Sequence, residues 1–194
     1  MKKELNLILV FCFITHFTSL KAQNANSERR EIANAIAAAE GSNVKLDKYT
    51  AFETLSKYAV QGNSRAMNAL GLMYILGSVG KPDTVQAVSW LTSAGNAGFL
   101  SAWVNLGYIY KYAHGGVKQN LTNAFMYFDK AAKKGAINGC CDAGYMLYKG
   151  IGCKQNYEAA YSYFRYAAAK NYSPAMYMLG LCYRNGYGVA RDDG

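Results

Sequence analysis

The residues with the most intrinsic reactivity are few, and their spacing does not assemble a catalyst. Beyond residue 22 the chain has one histidine, His114, and four cysteines, Cys140, Cys141, Cys153 and Cys182. Covalent or acid–base catalysis needs a nucleophile, a base and an orienting group within reach of one another. A single histidine in a glycine-rich turn offers no such set and reads as a solvated turn residue. Cys140 and Cys141 are adjacent and no C-x-x-C occurs, so the ligand spacing of a zinc site is missing. No G-x-x-x-x-G-K-[ST] phosphate loop occurs either, and Gly150-Ile-Gly152 and Gly186-Tyr-Gly188 read as turn glycines. The sequence predicts no cofactor, no metal and no enzyme.

Asp47, Asp83 and Asp192 form a third candidate set, but their spacing has another explanation. With Asn120 and Asn156 they fall 36, 37, 36 and 36 residues apart. All five are residue types whose side-chain oxygen can satisfy the free N–H groups at a helix start. Capping therefore accounts for them, and the elements they begin recur at that same spacing.

The pattern A-x-x-x-L-G-x-x-Y appears as Ala66, Leu70, Gly71, Tyr74 and again as Ala102, Leu106, Gly107, Tyr110. It weakens to Gly139, Ala143, Gly144, Leu147 and returns as Ala175, Leu179, Gly180, Tyr183. This spacing places the apolar residues on one helical face. A mid-helix glycine costs about 1 kcal/mol against alanine, so its return in phase predicts close approach by a neighbouring helix. A second helix follows each first one, with Ala51, Ala87, Ala124 and Ala160 in register and Trp90, Tyr127 and Tyr163 three residues further on. Gly62, Gly98, Gly135 and Asn171 close these second helices, as a left-handed C-terminal cap requires. Periods of this length mean stacked helical hairpins.

The N-terminus has a different composition. Lys2 and Lys3 precede an apolar run from Leu5 to Phe17, and Ala22 offers a small residue before a cut. The run is too short to span a bilayer and fits a secretory leader. The expected layout is a signal peptide at 1–22 and a lead-in at 23–46, flexible over 23–30 and helical over 28–40. A repeat domain follows at 47–194, with copies starting near 66, 102, 139 and 175. Export would place the protein in the periplasm or outside the cell, with no stable membrane insertion after cleavage. There the four cysteines could pair in three ways or remain as buried free thiols. The formal net charge of +9 is spread along the chain rather than clustered. It predicts a preference for acidic protein partners and argues against nucleic acid.

The pattern A-x-x-x-L-G-x-x-Y…G-x-G-V-x-x-D…A-x-x-W…A-x-x-x-G resembles the Sel1-like repeat, a relative of the tetratricopeptide repeat, over roughly residues 47–192. Two copies depart from it in their turns: His114 stands where the first turn glycine is expected, and the first copy reads Gly77-Ser-Val-Gly80. The resemblance implies an all-α fold, a right-handed α-solenoid of stacked antiparallel helix pairs whose first helices line a concave face. Counting the repeat alanine as position 1, positions 3, 7, 10 and 11 then face the groove. In the first copy these are Asn68, Leu72, Ile75 and Leu76; in the second, Val104, Tyr108, Lys111 and Tyr112. The third supplies Cys141, Tyr145, Tyr148 and Lys149, and the fourth Tyr177, Leu181, Arg184 and Asn185. The implied ligand is a protein or peptide segment, held by tyrosines over large contact areas.

Cysteine-rich secreted relatives staple each hairpin with a disulfide. Cys140 occupies one staple place, but Ala132 stands at the other, so that bond is not expected. Some of those relatives are described as β-lactam-hydrolysing, which gives one alternative function; a cell-wall carbohydrate binder, with tyrosines stacked on sugars, is another. The copy from Ala175 to Asp192 is expected to be incomplete, with the Leu179 and Tyr183 face of its helix uncovered.

Overall fold

A computed structural model describes residues 2–42 and 46–190, with side chains from residue 21 onward. Among the described residues the chain is all-helical: α1 (Lys2–Ala39), α2 (Lys48–Val60), α3 (Ser64–Leu76), α4 (Thr84–Asn96), α5 (Leu100–Tyr112), α6 (Leu121–Lys133), α7 (Ile137–Lys149), α8 (Tyr157–Ala168) and α9 (Ser173–Asn185). A short 3-10 turn, His114–Gly116, separates α5 from α6.

The second helices α2, α4, α6 and α8 begin where the spacing of caps predicts. The Asp83 carboxylate accepts from the Gln86 N–H, the Asn120 amide oxygen from Asn123, and that of Asn156 from Ala159, each at 2.9 Å. Asp47 accepts from the Tyr49 and Thr50 N–H groups and from the Thr50 hydroxyl at 2.7 Å. The fifth predicted cap, Asp192, lies outside the described residues. Second helices close through Gly62, Gly98, Gly135 and Asn171, all at positive φ.

Each helix packs against the next in sequence, and first helices also touch across pairs, α1 on α3 and α5 on α7. The repeated alanines Ala51, Ala87, Ala124 and Ala160 are fully buried. So are the larger residues four positions on, Leu55, Leu91, Phe128 and Phe164. These large residues meet the mid-helix glycines of the first helices. A Cβ on Gly71 would lie 2.8 Å from Leu91, on Gly107 2.5 Å from Phe128, and on Gly144 2.8 Å from Phe164. Close approach is thus the reason for the glycine at that phase in three copies. Gly180, the fourth, has nothing within 4 Å.

Two local expectations are corrected. Residues 23–30, expected as a flexible lead-in, belong to α1. Glu28 accepts from the Asn63 amide at 3.3 Å and Glu31 from the Tyr58 hydroxyl at 2.6 Å, which ties this polar stretch to the rest of the fold. In the second copy, Ala113 rather than His114 takes the left-handed cap position, at φ 59°. Gly77, Gly150 and Gly186 hold that position in the other copies. The extra residue of the 37-residue spacing enters after the cap, so alignment by the turn glycines is shifted by one there.

Candidate binding face

The first helices α3, α5, α7 and α9 carry all the groove residues expected from the repeat. Two hydrogen bonds join consecutive first helices. The Asn105 amide on α5 donates to Asn68 Oδ1 on α3 at 2.9 Å. The Tyr108 hydroxyl on α5 donates to Asp142 Oδ2 on α7 at 2.6 Å. Both are partly buried rungs, which set first helices at fixed spacing and orient the side chains around them.

The second rung is electrostatically tense. Burial pushes the Asp142 carboxyl up, while the Tyr108 hydrogen bond and the Lys111 charge pull it down. The Tyr108 hydroxyl is itself pushed well up, first by burial and then by donating to Asp142. Its ring stands edge-on to Phe128 at 5.0 Å and stacks on Tyr112 at 6.1 Å. Tyr108 is therefore a half-buried structural strut.

Three tyrosines on successive first helices are open to solvent: Tyr112 at 54%, Tyr145 at 38% and Tyr177 at 68% exposure. Lys111 lies 5.0 Å over the Tyr112 ring, and Lys149 lies 5.1 Å over that of Tyr148. Lys149 and Arg184 are exposed. Tyr148 packs edge-on to Tyr157 and Tyr187, each at 5.6 Å, beside the turns that follow α7 and α9. Asn185 donates to the Leu181 carbonyl of its own helix at 3.0 Å.

Ile75 and Val104, expected to face the groove, are only 4% and 5% exposed. Ile75 lies under the second-copy turn, where a Cβ on Gly115 would come within 2.6 Å of it. The extra turn residue has covered a position that the repeat leaves open elsewhere.

Sequence reasoning missed the rung partners Asn105 and Asp142. Both stand at position 4, where the other copies have the buried Ala69 and Met178. A polar residue at a position otherwise reserved for the core was the available signal, since buried polar groups take partners. A third bond, Tyr163 hydroxyl to Asp129 at 2.6 Å, ties α8 to α6, and Lys133 pairs with the same carboxylate.

All four described cysteines are free thiols. Cys140 is buried, with its Sγ 3.6 Å from the Ala132 carbonyl. Burial pushes both Cys140 and Cys141 up to about 11. Among the described residues no three His, Cys, Asp or Glu side chains gather as a metal site would need, and no helix is long and apolar enough to cross a membrane.

Antiparallel helix pairs stacked in register, joined by polar rungs and open along their first helices, define an α-solenoid of the helical-repeat class. Four Sel1 repeats match the chain, at residues 64–99, 102–135, 137–172 and 173–194, and the chain belongs to that family. It is 35% identical over 106 residues to an ERAD-associated E3 ubiquitin-protein ligase component, HRD3B, of Arabidopsis thaliana. That match takes in 54% of this chain and 16% of the relative. Cytochrome c oxidase assembly factor 7 of Xenopus tropicalis is 26% identical over 145 residues, 72% of this chain and 63% of that protein. Among solved structures, a protective antigen present in uropathogenic Escherichia coli strains, displaying an SLR fold, superposes with a TM-score of 0.73 at 27% identity. The superposition covers 88% of this chain and 36% of the antigen.

Proposed function

We propose that this protein is a non-catalytic scaffold of the bacterial cell envelope that holds a protein segment against its first helices. Sel1-repeat proteins serve as protein–protein interaction scaffolds. The observation that carries the reading here is the series Tyr112, Tyr145 and Tyr177, exposed on three successive first helices. The rung residue Tyr108 stacks on Tyr112 and supports one end of that row: side chains held in place lose less entropy when a partner docks. Two relatives are named as a ligase component and an assembly factor, accessory roles in keeping with a scaffold. The basic balance of the chain favours acidic partners through long-range attraction.

Export rests on the leader-like composition of residues 1–22. Among the residues whose side chains are described, the buried α1 residues of the core, Ile32, Ala35 and Ala38, all lie beyond the leader. Sequencing of the mature N-terminus should begin at Gln23; an intact N-terminus on the cell-associated protein would overturn this part.

The binding face is tested by placing a photo-crosslinking phenylalanine analogue at Tyr145 in cells, with Val85 on α4 as the control position. A discrete adduct is expected from Tyr145 and none from Val85, which is 78% exposed but lies on a second helix. Equal yields from both positions, or no adduct, would refute the assignment.

A further inference from the structure

Where the end of α1, the length of α3 and the α4–α5 turn meet, they surround a cavity of about 240 Å³. Ile36, Leu72, Leu76 and Phe99 supply its apolar wall, Asn68 its polar wall, and Arg65 and Glu40 belong to the same lining. The fold leaves two things unfinished there. Leu76 is 71% exposed, an apolar side chain with no cover among the described residues. The Asn105–Asn68 bond uses one donor and one acceptor, and no other bond engages the two amides among the described residues. A donor on Asn68, in the cavity wall, and an acceptor on Asn105, bonded to it from α5, are left unused.

We propose that this cavity takes one bulky aliphatic or aromatic side chain of an extended partner segment, whose peptide group pairs with the Asn68–Asn105 amides. The inference rests on the scaffold reading above and names what its N-terminal end binds. Size points to a side chain: the cavity is smaller than the roughly 300–1,000 Å³ that accommodates a whole small ligand. Polarity points to a peptide, because each peptide unit carries one N–H and one C=O. An acyl chain would fill the apolar wall but strand the amide donor and acceptor, and a buried polar group without a partner is unfavourable. The rim carries one charge of each sign, with no ion pair to either among the described residues. It therefore gives direction to a segment without demanding a uniformly charged one.

The probes are blocked nonapeptides of Gly and Ser with Phe, Leu or Ala at the centre, titrated into the full chain. The side-chain amide signals of Asn68 and Asn105 are followed by NMR. The Phe or Leu peptides should shift both signals saturably. Asn68→Ala and the cavity-filling Ala39→Phe should each weaken binding at least tenfold, with folding of both variants verified by their melting curves. Equal binding of the Ala-centred peptide, or no shift with any peptide, would overturn the proposal. So would decanoate shifting the same signals as strongly, which identifies a lipid site. The same shifts on raising protein concentration alone would also refute it, by identifying a second copy as occupant. If crosslinking from Tyr145 survives Ala39→Phe while no peptide enters the cavity, this inference fails and the scaffold reading stands; loss of crosslinking in the unaltered protein removes both.

Discussion

Burial raises the Asp142 carboxyl, and the Tyr108 hydroxyl 2.6 Å away is what chiefly opposes it. Tyr108→Phe keeps the ring against Phe128 and removes only that bond. The charged carboxylate then loses its donor, so Asp142 should rise further. A raised folded-state value means that the folded protein binds more protons than the unfolded chain just above the ordinary carboxylate range. The contribution of Asp142 to stability therefore falls as pH rises through that window. The variant should lose about 1–2 kcal/mol at pH 7 and progressively less as pH falls through the raised Asp142 value, since a protonated carboxyl no longer needs the bond; urea unfolding across that range decides. Equal losses would show that charge plays no part. Asp47 and Glu31 act with the opposite sign. Held low by hydrogen bonds from Thr50 and Tyr58, they stabilise above the usual carboxylate range, and that contribution disappears as pH falls through their lowered values. The thiols give a separate residue-scale test. With Cys140 and Cys141 pushed up to about 11, thiolate is scarce at neutral pH. Their alkylation by iodoacetamide should run roughly a hundredfold or more slower than that of a solvated thiol. Mass spectrometry of timed samples reads the rate, and labelling as fast as free cysteine would contradict the packing around them.

The four mid-helix glycines occupy one phase of the repeat but do not share one environment. Gly107→Ala would drive a methyl to 2.5 Å from the Phe128 ring, and overpacking of this kind costs on the order of 1–3 kcal/mol. Gly71→Ala and Gly144→Ala press on Leu91 and Phe164 at 2.8 Å and should also destabilise. Gly180→Ala meets nothing within 4 Å, so helix propensity alone should stabilise α9 by about 1 kcal/mol. Thermal melts of the four variants should thus show three falls and one rise, and a fall at Gly180 would mean that this face of α9 is covered in solution. The contrast also marks how far the sequence could be read. Cap spacing and the alanine–glycine phase disclose α2 to α9, because those signals act within one helix or between immediate neighbours. That Gly180 has no opposing residue agrees with the expectation that the helix face of the last copy is uncovered. The phase did not show Asn105 and Asp142 as rung partners. Their bonds reach Asn68 and Tyr108 on the preceding first helix, 37 and 34 residues back, a contact between elements rather than along one. The Ala113 cap escaped for a local reason: alanine pays a steric cost at positive φ, so glycine was the expected residue and His114–Gly115 drew the alignment one place too far.

At the scale of the whole molecule, the stack behaves as a row in which each helix depends mainly on its neighbours. Repeat proteins of this kind approximate a sum of unit stabilities and interface terms, and they open from the places where interfaces are poorest. Burial is uneven along this row. Helices α5 and α7 each bury six residues, including Trp103, Leu106, Cys140 and Met146, whereas α9 buries only Ala175, Met178 and Cys182. Amides of α9 should therefore exchange with solvent deuterium well before those of α5, α6 and α7. Asn156→Ala sharpens the test, because it removes the side chain that caps α8 at a cost of about 1 kcal/mol. If coupling is between neighbours, exchange should accelerate in α8 and α9, change less in α7, and stay the same in α2 to α4. Uniform acceleration across all helices would instead show a single cooperative unit. That outcome would matter for binding as well: Tyr112, Tyr145 and Tyr177 sit on three different layers, and only a locally adjustable stack can alter their spacing to suit a partner without unfolding as a whole.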